Sequence, residues 1–184
     1  MKTTMDILKR GFTLIELMVV VAIIAVLAGL IYANFGDARS QSNDQIRKTD
    51  LLEVQVSLEL YKAQNGHYPE AGCSAGTDWT GASVVSASGF KTCANYIDGL
   101  APIYIPKLPV DEKNLSKANV GYFYKTNANQ TAYKLIALDS IEVLTVDSYD
   151  HKLARCPKQG GAECSAATPP AKTYAVYSRA AEDW

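Results

Sequence analysis

The apolar positions of this chain are gathered into blocks. A polar, basic leader, Met1–Gly11, gives way at once to an apolar run from Phe12 to Ala33 that holds one ionisable residue, Glu16. A run of that length can cross a bilayer as a helix. A carboxylate inside it is costly in lipid and marks a candidate functional site. A polar stretch follows, with Asp37, Arg39, Gln41, Asn43, Asp44 and Gln45. Apolar residues then recur at Leu51, Val54, Leu58 and Tyr61, which is helical periodicity, and Leu52, Val56 and Leu60 broaden the stripe. No proline intervenes before Pro69, and Asn65-Gly66 is a good stop, with Gly66 able to take the left-handed cap. The pattern predicts one helix over residues 12–65, about 80 Å long. One face of its second half packs on the rest of the chain. Gly29 and Gly36 each cost a helix about 1 kcal/mol relative to alanine, so a local bend there and an unbroken helix stay equally open.

Residues 66–120 read as an irregular connector rich in Gly, Ser and Ala. Asp98–Leu100 is a candidate short helix. Ile103–Asp111 reads as an extended, proline-limited segment that packs Ile105 and Leu108 on the core. Strands are predicted at Gly121–Thr126, Ala132–Leu138 and Thr173–Ser178. Asn127-Ala128-Asn129-Gln130 links the first two as an antiparallel hairpin. The long segment from Asp139 to Lys172 needs a constraint or a function to account for its length. The fold class is α+β: a long N-terminal helix packed on a small antiparallel sheet of three or four strands. The expected divisions are a leader, 1–11, the helix, 12–65 with 12–33 membrane-spanning, and a globular head, 66–184.

The leader carries Lys2, Lys9 and Arg10 against Asp6. Positive flanks stay cytoplasmic, so the head faces outward. An ordinary secretory signal has a shorter apolar region and a cleavage site after small residues; Ala25, Ala28 and Gly29 imitate one. A plain single-pass anchor would not need the Gly11, Phe12 and Glu16 arrangement.

That arrangement, Lys9-Arg10-Gly11-Phe12-Thr13-Leu14-Ile15-Glu16, resembles the class III signal of type IV pilins and type II secretion pseudopilins. The later Asn65-Gly66-His67-Tyr68-Pro69, the Cys-containing loop and the strands are a looser likeness. The resemblance implies cleavage between Gly11 and Phe12 by a prepilin peptidase and N-methylation of Phe12. It also implies assembly through Glu16, which would meet the Phe12 amine of a neighbouring subunit. The implied product is a structural subunit of a type IV pilus-like filament, or alternatively a type II secretion pseudopilin. From a different class comes a minor, tip-located adhesin or DNA-uptake module. The implied partners are further copies of the chain, minor pilins, an assembly ATPase and an inner-membrane platform protein. The implied location is the inner membrane, single-pass with a cytoplasmic N-terminus, before assembly into an extracellular or periplasmic filament.

From Asp37 onward the chain holds 15 Lys/Arg against 17 Asp/Glu. This near-neutral balance gives no general nucleic-acid footprint. Cys73, Cys93, Cys156 and Cys164 suggest disulfides in an exported chain and allow three pairings. The local pairs, Cys73–Cys93 and Cys156–Cys164, are preferred, each within one loop-like stretch. Free thiols would follow in a reducing compartment. Zinc would need ligand spacings that these cysteines, His67 and His151 do not show. Phosphate loops, dinucleotide fingerprints and nucleophile elbows are absent, and His151 beside Asp150 is not ordered into a nucleophile–base pair, so no enzymatic role is expected. No cofactor is expected. Calcium through Asp139, Asp147 and Asp150 is the weaker alternative, because the oxygen ligands are present without EF-hand spacing. Asn114-Leu115-Ser116 and Asn129-Gln130-Thr131 match the glycosylation sequon.

The expected outcome at the leader is a mature chain that begins at Phe12. N-terminal sequencing or intact mass of the assembled protein checks it; a start near Gly29, or an uncut Met1, would contradict the filament reading.

Overall fold

The structure, a computed structural model, describes residues 12–157, 160, 169–182 and 184, with the side chains of residues 30–34 outside the description. The leader and Cys164 therefore lie outside the described residues. Helix α1 covers Leu14–Asn65 without interruption at Gly29 or Gly36. It ends as the sequence predicts: Gly66 takes φ 81°, and its N–H donates to the Lys62 carbonyl at 2.8 Å. Contacts divide the chain into two compact units, residues 1–39 and 40–184.

The second unit is built on one sheet. Its strands are β1 (Trp79–Gly81), β2 (Phe90–Thr92), β3 (Gly121–Thr126), β4 (Tyr133–Leu138) and β5 (Tyr174–Tyr177), in the spatial order β2-β1-β3-β4-β5. β3, β4 and β5 pair antiparallel, with Gly121 opposite Leu138 and Ile136 opposite Ala175. Asn127 closes the β3–β4 turn: its Oδ1 accepts the N–H groups of Thr131 and Ala132 at 2.8 and 3.0 Å.

The sheet corrects the expectation of a purely antiparallel array of three or four strands. It has five strands, and β1 and β2 pair parallel at one edge. Three residues are too few to display an alternation, which is why 66–120 reads as irregular. The close approach of β1 to β3 is what Gly81 serves: a Cβ there would lie 2.4 Å from the Tyr122 carbonyl oxygen. Asp98–Leu100 is a turn, not a short helix, with Gly99 at φ 72°. Ile103–Lys107 also turns instead of extending, although Ile105 and Leu108 are buried as expected.

Both sheet faces are covered. On one, Leu51, Val54 and Leu58 of α1 pack with Tyr124, Leu135 and Val176. Each such aliphatic side chain contributes roughly 1.5–3 kcal/mol on burial. On the other, Trp79, Phe123, Ile136 and Ala175 form a smaller cluster. The Cys73–Cys93 disulfide joins the approach to β1 to the end of β2, with Cα atoms 6.0 Å apart. Cys156 is buried and disulfide-bonded.

A charged knot fastens α1 to two later segments. The buried Arg47 guanidinium donates to Asp44 and Asp111, each at 2.9 Å, and to Glu142 at 3.0 Å. Asp44 in turn accepts the backbone N–H groups of Glu142, Val143 and Leu144 at 2.8–3.2 Å. Burial opposes the charge on Arg47, but Asp111, Glu142 and Asp44 outweigh it and keep the guanidinium protonated. Burial also raises the Glu142 carboxyl, yet the donors Lys113, Arg47, Asn43 and Ser40 prevail and hold it at about 2. Burial pushes the Asp50 carboxyl up, against the hydroxyl that Tyr122 donates to it at 2.6 Å.

Asp44→Ala would orphan three N–H groups and leave Arg47 short of an anion. Breaking a buried pair from one side costs about 3–5 kcal/mol, so the thermal midpoint of the variant is expected to fall sharply. Glu142 has a folded pKa below its unfolded value near 4.3. Its stabilisation is present above that value and is lost as pH falls through about 2. Acid unfolding followed by tryptophan fluorescence should show a flatter dependence in that window for Glu142→Gln than for the native chain.

Candidate functional site

The first turn of α1 is self-capped. Thr13 precedes the helix, and Glu16 sits three residues later, the spacing of a capping box. Glu16 Oε2 accepts the Thr13 N–H at 2.8 Å and the Thr13 hydroxyl at 2.7 Å, while the Glu16 N–H donates to Thr13 Oγ1 at 3.3 Å. Both bonds to the carboxylate fall on one oxygen. A carboxylate offers about four acceptor positions, so capacity is left for another donor. The macrodipole at this end of the helix favours the anion by roughly 0.3–1 kcal/mol.

Around this polar point the surface is apolar. Phe12 is 86% exposed, Leu17 60% and Val26 66%. Every described side chain from Phe12 to Gly29 is exposed. Such a surface is far larger than the scattered apolar groups that a soluble exterior carries, and it marks a lipid or protein contact. Among the described residues no helix is long and apolar enough to cross a membrane. The span expected over Phe12–Ala33 includes residues 30–33, whose side chains are not described.

The second half of α1 has two apolar faces. Leu51, Val54 and Leu58 are buried, whereas Leu52, Val56 and Leu60 are exposed. These three do not broaden the packed stripe, as the sequence pattern suggests. They lie across the helix from it, because Val56 and Leu58 are two residues, or about 200°, apart on the helical wheel. Spaced by four, they form a row of their own. Glu59 and Lys62 meet through Tyr68: its hydroxyl donates to Glu59 at 3.0 Å and accepts from Lys62 at 3.3 Å.

Of the residues expected to matter, Glu16 lies on the first turn of α1 and Phe12 precedes the helix, while Gly11 lies outside the described residues. Thr13 was legible in the sequence through the Thr-x-x-Glu spacing. The row at Leu52, Val56 and Leu60 was legible as apolar but not as exposed. His67 Nδ1 lies 3.0 Å from the Tyr68 carbonyl oxygen, and His151 Nδ1 accepts the Leu153 N–H at 3.2 Å. Asp147 and Asp150 are exposed. Among the described residues no group of three or more His, Cys, Asp or Glu side chains is arranged to hold a metal. Asn114 is buried and bonded to Asp111, whereas Asn129 is exposed at the hairpin tip.

The chain is similar to known proteins. The prokaryotic N-terminal methylation motif matches residues 8–32. The chain is 37% identical over 106 residues to the type II secretion system core protein G of Klebsiella pneumoniae, covering 56% of this chain and 68% of that one. It is 38% identical over 91 residues to the type IV wide pilus major component PilA4 of Thermus thermophilus, covering 46% and 70%. Against core protein G of Escherichia coli it is 41% identical over 61 residues, and the match spans 42% of that protein. No solved structure matches. The chain belongs to the pilin and pseudopilin family. Its members are structural subunits rather than enzymes, and they are anchored in a membrane before assembly.

If the exposed row of α1 is a contact between subunits, charging it should block assembly without disturbing the fold. Val56→Asp, at a position 68% exposed, should shift the thermal midpoint little, since exposed substitutions stay within about 0.5 kcal/mol. Filament yield after shearing is the measurement, and it should fall to background.

Proposed function

We propose that the chain is a non-catalytic structural subunit of a type IV pilus-like filament. A prepilin peptidase removes the leader after Gly11, and Phe12 becomes the N-methylated end. The apolar half of α1 holds the subunit in the inner membrane as a single pass, N-terminus in the cytoplasm, until it enters a helical polymer. An assembly ATPase and a platform protein drive that entry, and minor pilins share the filament. The observation that carries this reading is the wholly exposed apolar surface from Phe12 to Gly29 with one carboxylate at its end. Lipid and then neighbouring helices would cover the surface, and the spare capacity of Glu16 would receive the Phe12 amine of a neighbour. In a low-dielectric setting such an ion pair is much stronger than in water. A second reading, a pseudopilin of type II secretion, is supported by the identity to core protein G over more than half of this chain. The assembly chemistry is the same in both. In either reading the fold is held by hydrogen bonds, the Arg47 knot and disulfides, and no cofactor is invoked.

Glu16→Val separates assembly from everything that precedes it. A charged residue costs a membrane helix about 2.5–3.5 kcal/mol at its centre on insertion scales, so insertion should survive or improve. Processing and head stability should not change. Sheared filaments viewed by microscopy should be absent; normal yield would show that Glu16 is a bystander.

A further inference from the structure

Two aliphatic side chains of the head stand out from loops that are otherwise pinned down. Ile103 is 77% exposed, yet its loop is held on both sides. Leu100 and Ile105 belong to the core. The Tyr104 N–H donates to the Leu100 carbonyl at 2.9 Å, and the Tyr104 carbonyl accepts the Ser57 hydroxyl of α1 at 3.2 Å. Val143 is 41% exposed, while Val146 is buried. The N–H groups of Val143 and Leu144 donate to Asp44 of α1 at 2.8 and 2.9 Å. An apolar side chain held out in water adds nothing to its own fold, and burying it in a partner is favourable. A loop fixed in advance loses little freedom when that happens.

Each tip has an unspent charge close behind it. Lys107 follows Ile103 by four residues, and it shares the wall of one hollow with Pro102. Asp147 follows Val143 by four residues. Both charges are exposed, and neither makes an ion pair among the described residues. Lys172 runs beside the Val143 tip, where the Val146 N–H donates to the Ala171 carbonyl at 2.8 Å, but it forms no ion pair with Asp147. The tips are thus alike in apolar character and opposite in charge. They are also apart, because they touch α1 at Ser57 and at Asp44. At about 1.5 Å per residue, those points lie roughly 20 Å apart along the helix axis.

A closed pair of subunits can use one patch twice, whereas an open polymer needs two different patches that fit each other. The Ile103 and Val143 tips supply two such patches on one chain. On the filament reading, which this contact rests on, we propose that the tips join one copy to the next. Ile103 of one copy packs against Val143 of another, and Lys107 of the first pairs with Asp147 of the second. The aliphatic contact excludes water from beside the ion pair and so strengthens it. The separation of the tips along α1 keeps them from meeting within one copy.

The test uses filaments sheared from cells that express the full chain. A carbodiimide joins an ammonium to a neighbouring carboxylate as an amide, the reagent taking up the water. The dimer band of a denaturing gel then holds links between copies. Mass spectrometry of that band should show Lys107 joined to Asp147. Lys107→Arg keeps the charge but cannot be coupled, so it should keep the filaments and lose the link. Lys107→Glu or Asp147→Lys alone should cut filament yield several-fold at an unchanged thermal midpoint, and the two together should restore it. Filaments whose dimer band lacks the link, single swaps without effect, or a double swap that restores nothing would overturn the contact and leave the filament reading in place. A native chain that forms no filaments would overturn both. Should a swapped variant fold poorly, the link in native filaments decides alone.

Discussion

The guanidinium of Arg47 is where the head is tied together. It sits on α1, at the point where a turn at Asp111–Asn114 and the segment after β4 both return to the helix. Its partners are far apart in sequence and approach from different directions. Three anions around one planar cation leave each side chain little freedom, and the geometry suits the fixed fork of arginine better than lysine. Asp44 extends the tie to backbone: three successive N–H groups aim at one carboxylate. The long connection from β4 to β5 is therefore anchored at its start by polar bonds.

The helix that carries Arg47 is used on opposite sides. Leu51, Val54 and Leu58 form part of the head core, and Leu52, Val56 and Leu60 face away from it. A surface helix of a monomer would carry polar residues on that far side. An apolar row there, in the same helix whose first half is apolar all round, fits a subunit whose surroundings are other helices.

The sequence revealed most where a pattern is long or a motif is local. The 3.6-residue period, the glycine stop and the β3–β4 hairpin could be read because their signals lie within a few residues. β1 and β2 could not, since three-residue strands show no period and their pairing depends on Tyr122 and Phe123, far along the chain. The knot was invisible for the same reason: nothing near Arg47 announces Asp111 or Glu142. The row at Leu52, Val56 and Leu60 misled because periodicity reports that a position is apolar, not which body covers it. Thr13 is the opposite case, a partner written three residues from Glu16.

The capping box at Thr13 bears on how fast a subunit changes company. On the proposed assembly, a neighbour's amine would add to the uncommitted lone pairs of a carboxylate already bonded to its own helix end, rather than capture a bare ion. The bonds from Thr13 need not break for that addition, so the carboxylate would be left bare neither before nor after it. The same two donors, the N–H and the hydroxyl of Thr13, that hold the carboxylate in a waiting subunit would lower the cost both of its entry into the polymer and of its departure.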